Sequence, residues 1–274
     1  MGLKALCIGI NNYPGTGNDL YGCVNDAHDW AAELTRRGFE ASTLLDGHAT
    51  GAEIRKRIAC LVESADSDDT IVVQFSGHGS FVPDRNGDEP DGTDECICPS
   101  DTGNGYITDD DLFELFSMGK TGVRIVMIAD SCHSGSIARF APIDVPSTAD
   151  EAANSPQRRV RFLPPATFLD SAELRSLGDR RALRRASAPG RHAALTLSGC
   201  QDAEFSYDDV FGGRPNGVFS YAALEALKSL GPGATYRDWH AAIRRKLPTP
   251  LHPQTPNLYG SRKMKTSAVF QPVG

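Results

Sequence analysis

The sequence predicts an α/β fold built on a mainly parallel sheet with helices on both faces. Three observations carry this prediction. Apolar runs of strand length alternate with helical patterns along the chain. Those runs are continuously apolar rather than alternating, as expected where both faces of a sheet are covered. Two segments rich in reactive side chains, Ser76-Gly77-His78-Gly79 and Asp130-Ser131-Cys132, directly follow such runs. In open α/β sheets that is where ligands bind, at the carboxyl ends of the strands.

The elements follow in order. Leu3 to Ile10 is apolar and ends at Asn11-Asn12, which reads as a buried strand. Asn25 to Gly38 puts Ala27, Trp30, Ala31 and Leu34 at helical spacing and stops at a glycine. Ala41 to Leu45 is a short strand. Thr50 to Val62 is a helix with Ile54, Ile58, Leu61 and Val62 on one face. Thr70 to Phe75 and Val123 to Ala129 are further buried strands, separated by a helix at Asp109 to Phe116. Ala193 to Leu197 reads as a strand, Gly217 to Leu230 and Tyr236 to Leu247 as helices, and Ser267 to Phe270 as a last strand. No internal repeat is apparent.

With 274 residues, 40% hydrophobic and 23% charged, the chain has the balance of a soluble globular protein able to bury a sizeable core. Its net charge of -7 disfavours general nucleic-acid binding. No run approaches the length of a membrane span and no export signal is visible. The seven cysteines are odd in number and irregularly spaced, which fits free thiols in a reducing cytoplasm. Cys96 and Cys98 lack a second ligand pair at zinc spacing. Two stretches depart from this average. Residues 84 to 111 carry ten carboxylates against Arg85 alone. Residues 142 to 191 are rich in Pro, Ala and Arg and read as a surface linker or insertion, with a short helix around Ser171 to Leu177.

The chemistry centres on Cys132. A cysteine at a strand's carboxyl end, before an expected helix, would face the helix N-terminus, and that field favours the thiolate. A small buried residue is the bland alternative. His78 follows another buried strand between two glycines, which permit close approach of substrate backbone. Together the two supply a nucleophile and a proton-transfer partner. His133 is a rival base, but as the neighbour of Cys132 in the chain it is the weaker candidate.

Ser76-Gly77-His78-Gly79 followed by Asp130-Ser131-Cys132-His133-Ser134-Gly135 resembles the catalytic segments of the metacaspases, and of the bacterial type-I-like branch in particular. Cys132 lies 54 residues after His78 (132 − 78), close to the roughly 50 noted for caspases. Gly22-Cys23-Val24-Asn25-Asp26-Ala27, Asp91-Gly92-Thr93-Asp94-Glu95, Ser198-Gly199-Cys200-Gln201-Asp202 and Gln254-Thr255-Pro256-Asn257-Leu258 support the likeness, which is weakest over 142–191.

The resemblance implies a caspase-hemoglobinase fold in one peptidase domain over 1–274. Residues 1–141 would form a large-subunit-like region with the dyad, 142–191 the linker, and 192–274 a small-subunit-like region. It implies a cytoplasmic, monomeric cysteine endopeptidase with Cys132 as nucleophile and His78 as acid/base. The N–H groups of Gly79 and Cys132 would form the oxyanion hole. Cys23, Asp26, Ser76 and Asp130 would line the first specificity pocket, where paired carboxylates select Arg or Lys. Protein or peptide substrates are implied, with neither nucleic acid nor membrane as partner. No cofactor is needed for the chemistry, but Ca²⁺ is a possible activator at Asp94, Asp109 and Asp110, where a solvated acidic rim is the alternative. The match between the arginine-rich linker and the pocket suggests a zymogen that cuts itself, with Arg159, Arg161, Arg181 and Arg185 as candidate sites and a plain basic linker as the alternative. A catalytically silent scaffold, and a caspase-fold peptidase of the legumain kind that prefers Asn, are the competing readings.

Overall fold

The computed structural model describes residues 1–84, 86–87, 92–132, 158–179, 193–201 and 204–271. Its centre is a six-stranded sheet. In chain order the strands are β1 (Leu3–Gly9), β2 (Glu40–Leu45), β3 (Thr70–Ser76), β7 (Arg124–Asp130), β9 (Leu195–Ser198) and β12 (Asn257–Tyr259). In space they run β12-β9-β7-β3-β1-β2, and every neighbouring pair is parallel except β12 with β9.

The continuous apolar runs have the expected cause: successive residues serve opposite faces. Leu6, Ile8, Ile71, Val73, Phe75, Ile125 and Met127 pack on one side with Ile54, Ile58 and Val62 of helix α2 (Gly51–Glu63) and Phe116 of α3 (Asp109–Ser117). Ala5, Cys7, Val72, Val126, Ile128, Leu195 and Leu197 pack on the other. There they meet Trp30 of α1 (Cys23–Arg36), Phe219 of α5 (Val218–Lys228), and Trp239 and Ile243 of α6 (Tyr236–Arg244). The helix starts follow local rules. Thr50 caps α2 by accepting from the Glu53 N–H, and Thr108 and Thr235 form capping boxes with Asp111 and Asp238.

Two small antiparallel sheets flank the carboxyl edge of the main one. The first joins β4 (Gly79–Pro83), β5 (Thr93–Ile97) and β6 (Ile107–Thr108). The second joins β8 (Arg159–Val160), β10 (Tyr207–Phe211) and β11 (Arg214–Gly217). The β10–β11 hairpin turns at Gly212-Gly213, both with positive φ. Helices α4 (Ser171–Asp179) and α7 (Arg262–Lys265) complete the described elements.

Two expectations are corrected. Ser267 to Phe270 is not a strand of the sheet; Ala268 makes only an isolated bridge to Thr235, while Val269 and Phe270 pack under α6. The last strand is β12, in the segment that was notable only as a motif. The stretch 142–191 is not simply a surface linker, because within it Arg161, Leu163, Pro165 and Leu169 are buried.

Trp239 is fully buried, its indole N–H donates to the Ala223 carbonyl, and its ring meets that of Trp30 edge-on at 6.0 Å. Trp239→Ala should destabilise the fold by about 3–5 kcal/mol, measured as a lower midpoint in urea unfolding.

Candidate active site

The parallel register of β3 with β7 pairs Ser76 with Asp130. His78 and Cys132 each stand two residues beyond that pair, so the sheet itself carries them to neighbouring places at its carboxyl edge. Gly77 bends the chain between Ser76 and His78. A Cβ there would lie 2.6 Å from the Tyr13 hydroxyl and 2.7 Å from the Phe75 ring.

His78 is held from two sides. Its backbone N–H donates to the Tyr13 hydroxyl at 2.8 Å, and the two rings lie 4.5 Å apart. Its Nε2 stands 2.6 Å from the Asn18 carbonyl. A carbonyl only accepts, so Nε2 carries the proton and Nδ1 is the free basic nitrogen. Nδ1 is buried without a hydrogen-bond partner. Burial lowers the imidazole pKa to about 4, against the opposing pull of the Asn18 carbonyl.

Cys132 is 0% exposed. Its sulfur accepts from the Ser206 N–H at 2.7 Å and lies 3.3 Å from the Ser206 carbonyl. The helix expected after Cys132, and His133, lie outside the described residues.

The segment 158–163 threads across this edge. The Arg161 carbonyl oxygen accepts from both the Gly79 N–H, at 3.0 Å, and the Cys132 N–H, at 3.2 Å. These are the two donors expected to form an oxyanion hole, and they converge on one peptide oxygen. The Arg161 side chain turns into a closed pocket and is itself 0% exposed. Its Nε donates to Asp208 Oδ1 at 2.9 Å. Its Nη2 donates to Asp208 Oδ1 and to Asp26 Oδ2, both at 2.6 Å. Its Nη1 donates to the Asp130 carbonyl at 3.0 Å and pairs with Asp130 Oδ2 at 3.1 Å.

Each carboxylate is also fixed by neutral donors. Asp26 accepts from the Gly217 N–H and from Asn216 Nδ2, Asp130 from the Ser206 hydroxyl and the Ser220 N–H, and Asp208 from the Tyr21 and Gly22 N–H groups. Burial first, then Asp130 and Asp208, push the Asp26 carboxyl up to about 7, against the pull of Arg161. The floor of the pocket is Gly217, where a Cβ would come within 2.6 Å of the Arg161 Cζ.

Of the expected pocket residues, Asp26 and Asp130 meet the guanidinium directly. Cys23 is buried at the start of α1, close enough for its electrostatics to feel Arg161. Ser76 is buried with its hydroxyl accepting from Gln74, and it makes no hydrogen bond to Arg161. Asp208 and Asn18 were not foreseen. Asp208 is one of two adjacent acidic residues in a hairpin strand, and Asn18 acts through its backbone.

Of the candidate cleavage residues, Arg159 is exposed over the Tyr21 ring, while Arg181 and Arg185 lie outside the described residues. Asp94 is buried in β5, and Asp109 and Asp110 begin α3. Among the described residues no three His, Cys, Asp or Glu side chains gather as metal ligands.

The model of the family described as Caspase domain matches residues 3–266. Metacaspase-1B of Aspergillus oryzae is 30% identical over 97% of this chain and 70% of its own length. Metacaspase-1 of Cryptococcus neoformans is 32% identical over 97% of this chain and 64% of its own length. Metacaspase-4 of Arabidopsis thaliana is 46% identical over 49% of this chain and 34% of its own. The chain thus spans less than two thirds of the length of the last two. A crystallised protein of Geobacter sulfurreducens superposes with a TM-score of 0.73 and 29% identity over the whole of both chains. No helix among the described residues is long and apolar enough to cross a membrane.

The depressed His78 pKa makes stability depend on pH. Between pH 6.5 and 4 the unfolded chain binds a proton at this position that the native chain does not. Stability is therefore fully present above pH 6.5 and is lost as pH falls towards 4. Asp26, with its raised pKa, acts in the opposite sense but equally in a His78→Gln variant. The difference in unfolding free energy between the two proteins should therefore change by about 3 kcal/mol across that window, measured by urea unfolding at each pH.

Proposed function

The chain belongs to the caspase-domain family of cysteine peptidases, and from that premise we propose that it is an endopeptidase that cuts after arginine through Cys132 and His78. The observation that supports this most is the placement of Arg161. Its carbonyl oxygen takes the Gly79 and Cys132 N–H groups while its guanidinium fills the three-carboxylate pocket. A substrate's arginine held in the same way presents its carbonyl carbon beside the Cys132 sulfur.

In the proposed reaction His78 Nδ1 takes the Cys132 thiol proton and the thiolate adds to that carbonyl. The oxygen that becomes negative already has two donors, an arrangement worth roughly 3 kcal/mol per donor in other peptidases. The tetrahedral adduct collapses, the peptide C–N bond breaks, and His78 returns the proton to the leaving amine. Water then adds to the thioester and frees the carboxylate and the thiol. The Asn18 carbonyl keeps the proton on Nε2 throughout, so Nδ1 is the nitrogen that takes up the thiol proton and returns it.

The pocket supports arginine above lysine. Asp208 grips the fork side-on at Nε and Nη2 while Asp26 and Asp130 take its far nitrogens. A single ammonium cannot satisfy acceptors spread around a plane in this way. The resident Arg161 also makes this chain its own first substrate, with Arg161–Phe162 as the bond cut. The described state is then that of a zymogen.

Three outcomes test this. Fluorogenic peptides ending in Arg should be hydrolysed at least about tenfold faster, in kcat/KM, than those ending in Lys, and those ending in Asp or Asn not at all; Cys132→Ala should abolish turnover. Asp208→Asn should lower kcat/KM for Arg peptides by roughly 10- to 100-fold and narrow the Arg-over-Lys ratio, since a hydrogen bond to a charged group is worth about 1.5–3 kcal/mol. Intact mass after incubation should reveal a 162–274 fragment from the wild type and none from Cys132→Ala. Cutting at another arginine would move the self-processing site, and no turnover of any peptide would favour a silent scaffold.

A further inference from the structure

The segment that carries Arg161 is held as an added strand, and this fixes where its other side chains fall. Val160 pairs with Tyr207 and Arg159 with Asp208, antiparallel, and the Arg161 N–H donates to the Ser206 carbonyl at 2.9 Å. Past Arg161, the Leu163 N–H donates to the Gly79 carbonyl at 3.0 Å, and the Ser80 hydroxyl donates to the Leu163 carbonyl at 2.7 Å. Any extended peptide making these backbone bonds would place its residues against the same walls.

Those walls are aromatic at three places. The Arg159 guanidinium lies 5.0 Å over the Tyr21 ring and donates to its hydroxyl at 3.0 Å. Tyr21 is 42% exposed, one of few large apolar side chains so open to solvent among the described residues. The Arg158 guanidinium lies 5.3 Å over the Tyr207 ring and donates to the Leu251 carbonyl at 3.0 Å. On the other side of Arg161, the Phe162 ring stacks on Phe81 at 6.0 Å with 17° between planes. It also meets Phe205 at 6.0 Å.

Resting on the endopeptidase reading above, we propose that these contacts are substrate subsites. Tyr21 and Tyr207 take basic residues at the third and fourth positions before the cleaved bond, and Phe81 with Phe205 takes an aromatic residue directly after it. The substrate class is then a polybasic strand, Arg-Arg-aliphatic-Arg, followed by an aromatic residue. Cation–π contacts at exposed rings and ring stacking in a slot are the interactions that discriminate.

The test uses quenched fluorescent peptides spanning Arg-Arg-Val-Arg-Phe-Leu, with arginine before the cleaved bond in every one. Alanine replaces the first Arg, the second Arg or the Phe in turn. The full-length protein is assayed beside Arg161→Ala, whose own segment cannot hold the pocket. Each Arg→Ala peptide should be cut roughly 2- to 5-fold more slowly, and the Phe→Ala peptide roughly tenfold more slowly. Tyr21→Ala should erase the preference at the third position alone, Tyr207→Ala that at the fourth alone, and Phe205→Ala should weaken that for phenylalanine. Equal rates for all four peptides would overturn the subsites while leaving the endopeptidase reading intact. No cleavage of any peptide by either protein would overturn both.

Discussion

The buried cluster of Asp26, Asp130, Asp208 and a guanidinium joins the carboxyl edge of the main sheet to α1 and the β10–β11 hairpin. Burying an ionised carboxylate is costly unless it is paired and hydrogen-bonded, and here three share one volume. Each is partly satisfied by donors of the fold itself: N–H groups of Tyr21, Gly22, Gly217 and Ser220, the amide of Asn216 and the hydroxyl of Ser206. What those neutral donors cannot supply is positive charge. Arg161 supplies it with every nitrogen of its planar fork engaged. The carboxylates come from the start of α1, the end of β7 and the strand β10, so one guanidinium ties together three parts of the chain distant in sequence.

The geometry of the candidate site is a consequence of the sheet. Because β3 and β7 are parallel and Ser76 faces Asp130, His78 and Cys132 are neighbours by register, and the Gly79 and Cys132 N–H groups converge. The same strand end that delivers Cys132 delivers Asp130 to the pocket, two residues earlier. The carboxylate pocket and the pair of converging N–H groups are therefore positioned by one backbone. Ser206 joins them from the second side, with its hydroxyl on Asp130, its N–H on the Cys132 sulfur and its carbonyl on the Arg161 N–H.

Much of this was legible in the sequence, and the limits have physical causes. The sheet strands and the helices on both faces could be read because their residues must be apolar on every side or on one stripe. His78, Cys132, Asp26 and Asp130 could be singled out because they stand at the carboxyl ends of such runs or in recognisable motifs. The short strands β4, β5, β10 and β11 were not legible: they are half polar and gain their order from the edge they cover. Asp208 was hidden for the same reason, being one of two acidic residues beside the Gly212-Gly213 turn. Within 142–191 nine arginines have equivalent local chemistry. Among the described residues, the backbone pairing of 159–163 with β10 and Gly79 distinguishes Arg161 from its neighbours.

Cys132 and the pocket can be tested together by covalent labelling of full-length Arg161→Ala, whose own segment cannot hold the pocket, with a peptidyl-arginyl chloromethyl ketone, read by peptide mapping in a mass spectrometer. A single adduct is expected, on Cys132, suppressed by Asp208→Asn and not formed by the aspartyl analogue. Equal labelling by the aspartyl reagent, or an arginyl adduct on Cys23 or Cys200 in place of Cys132, would contradict it.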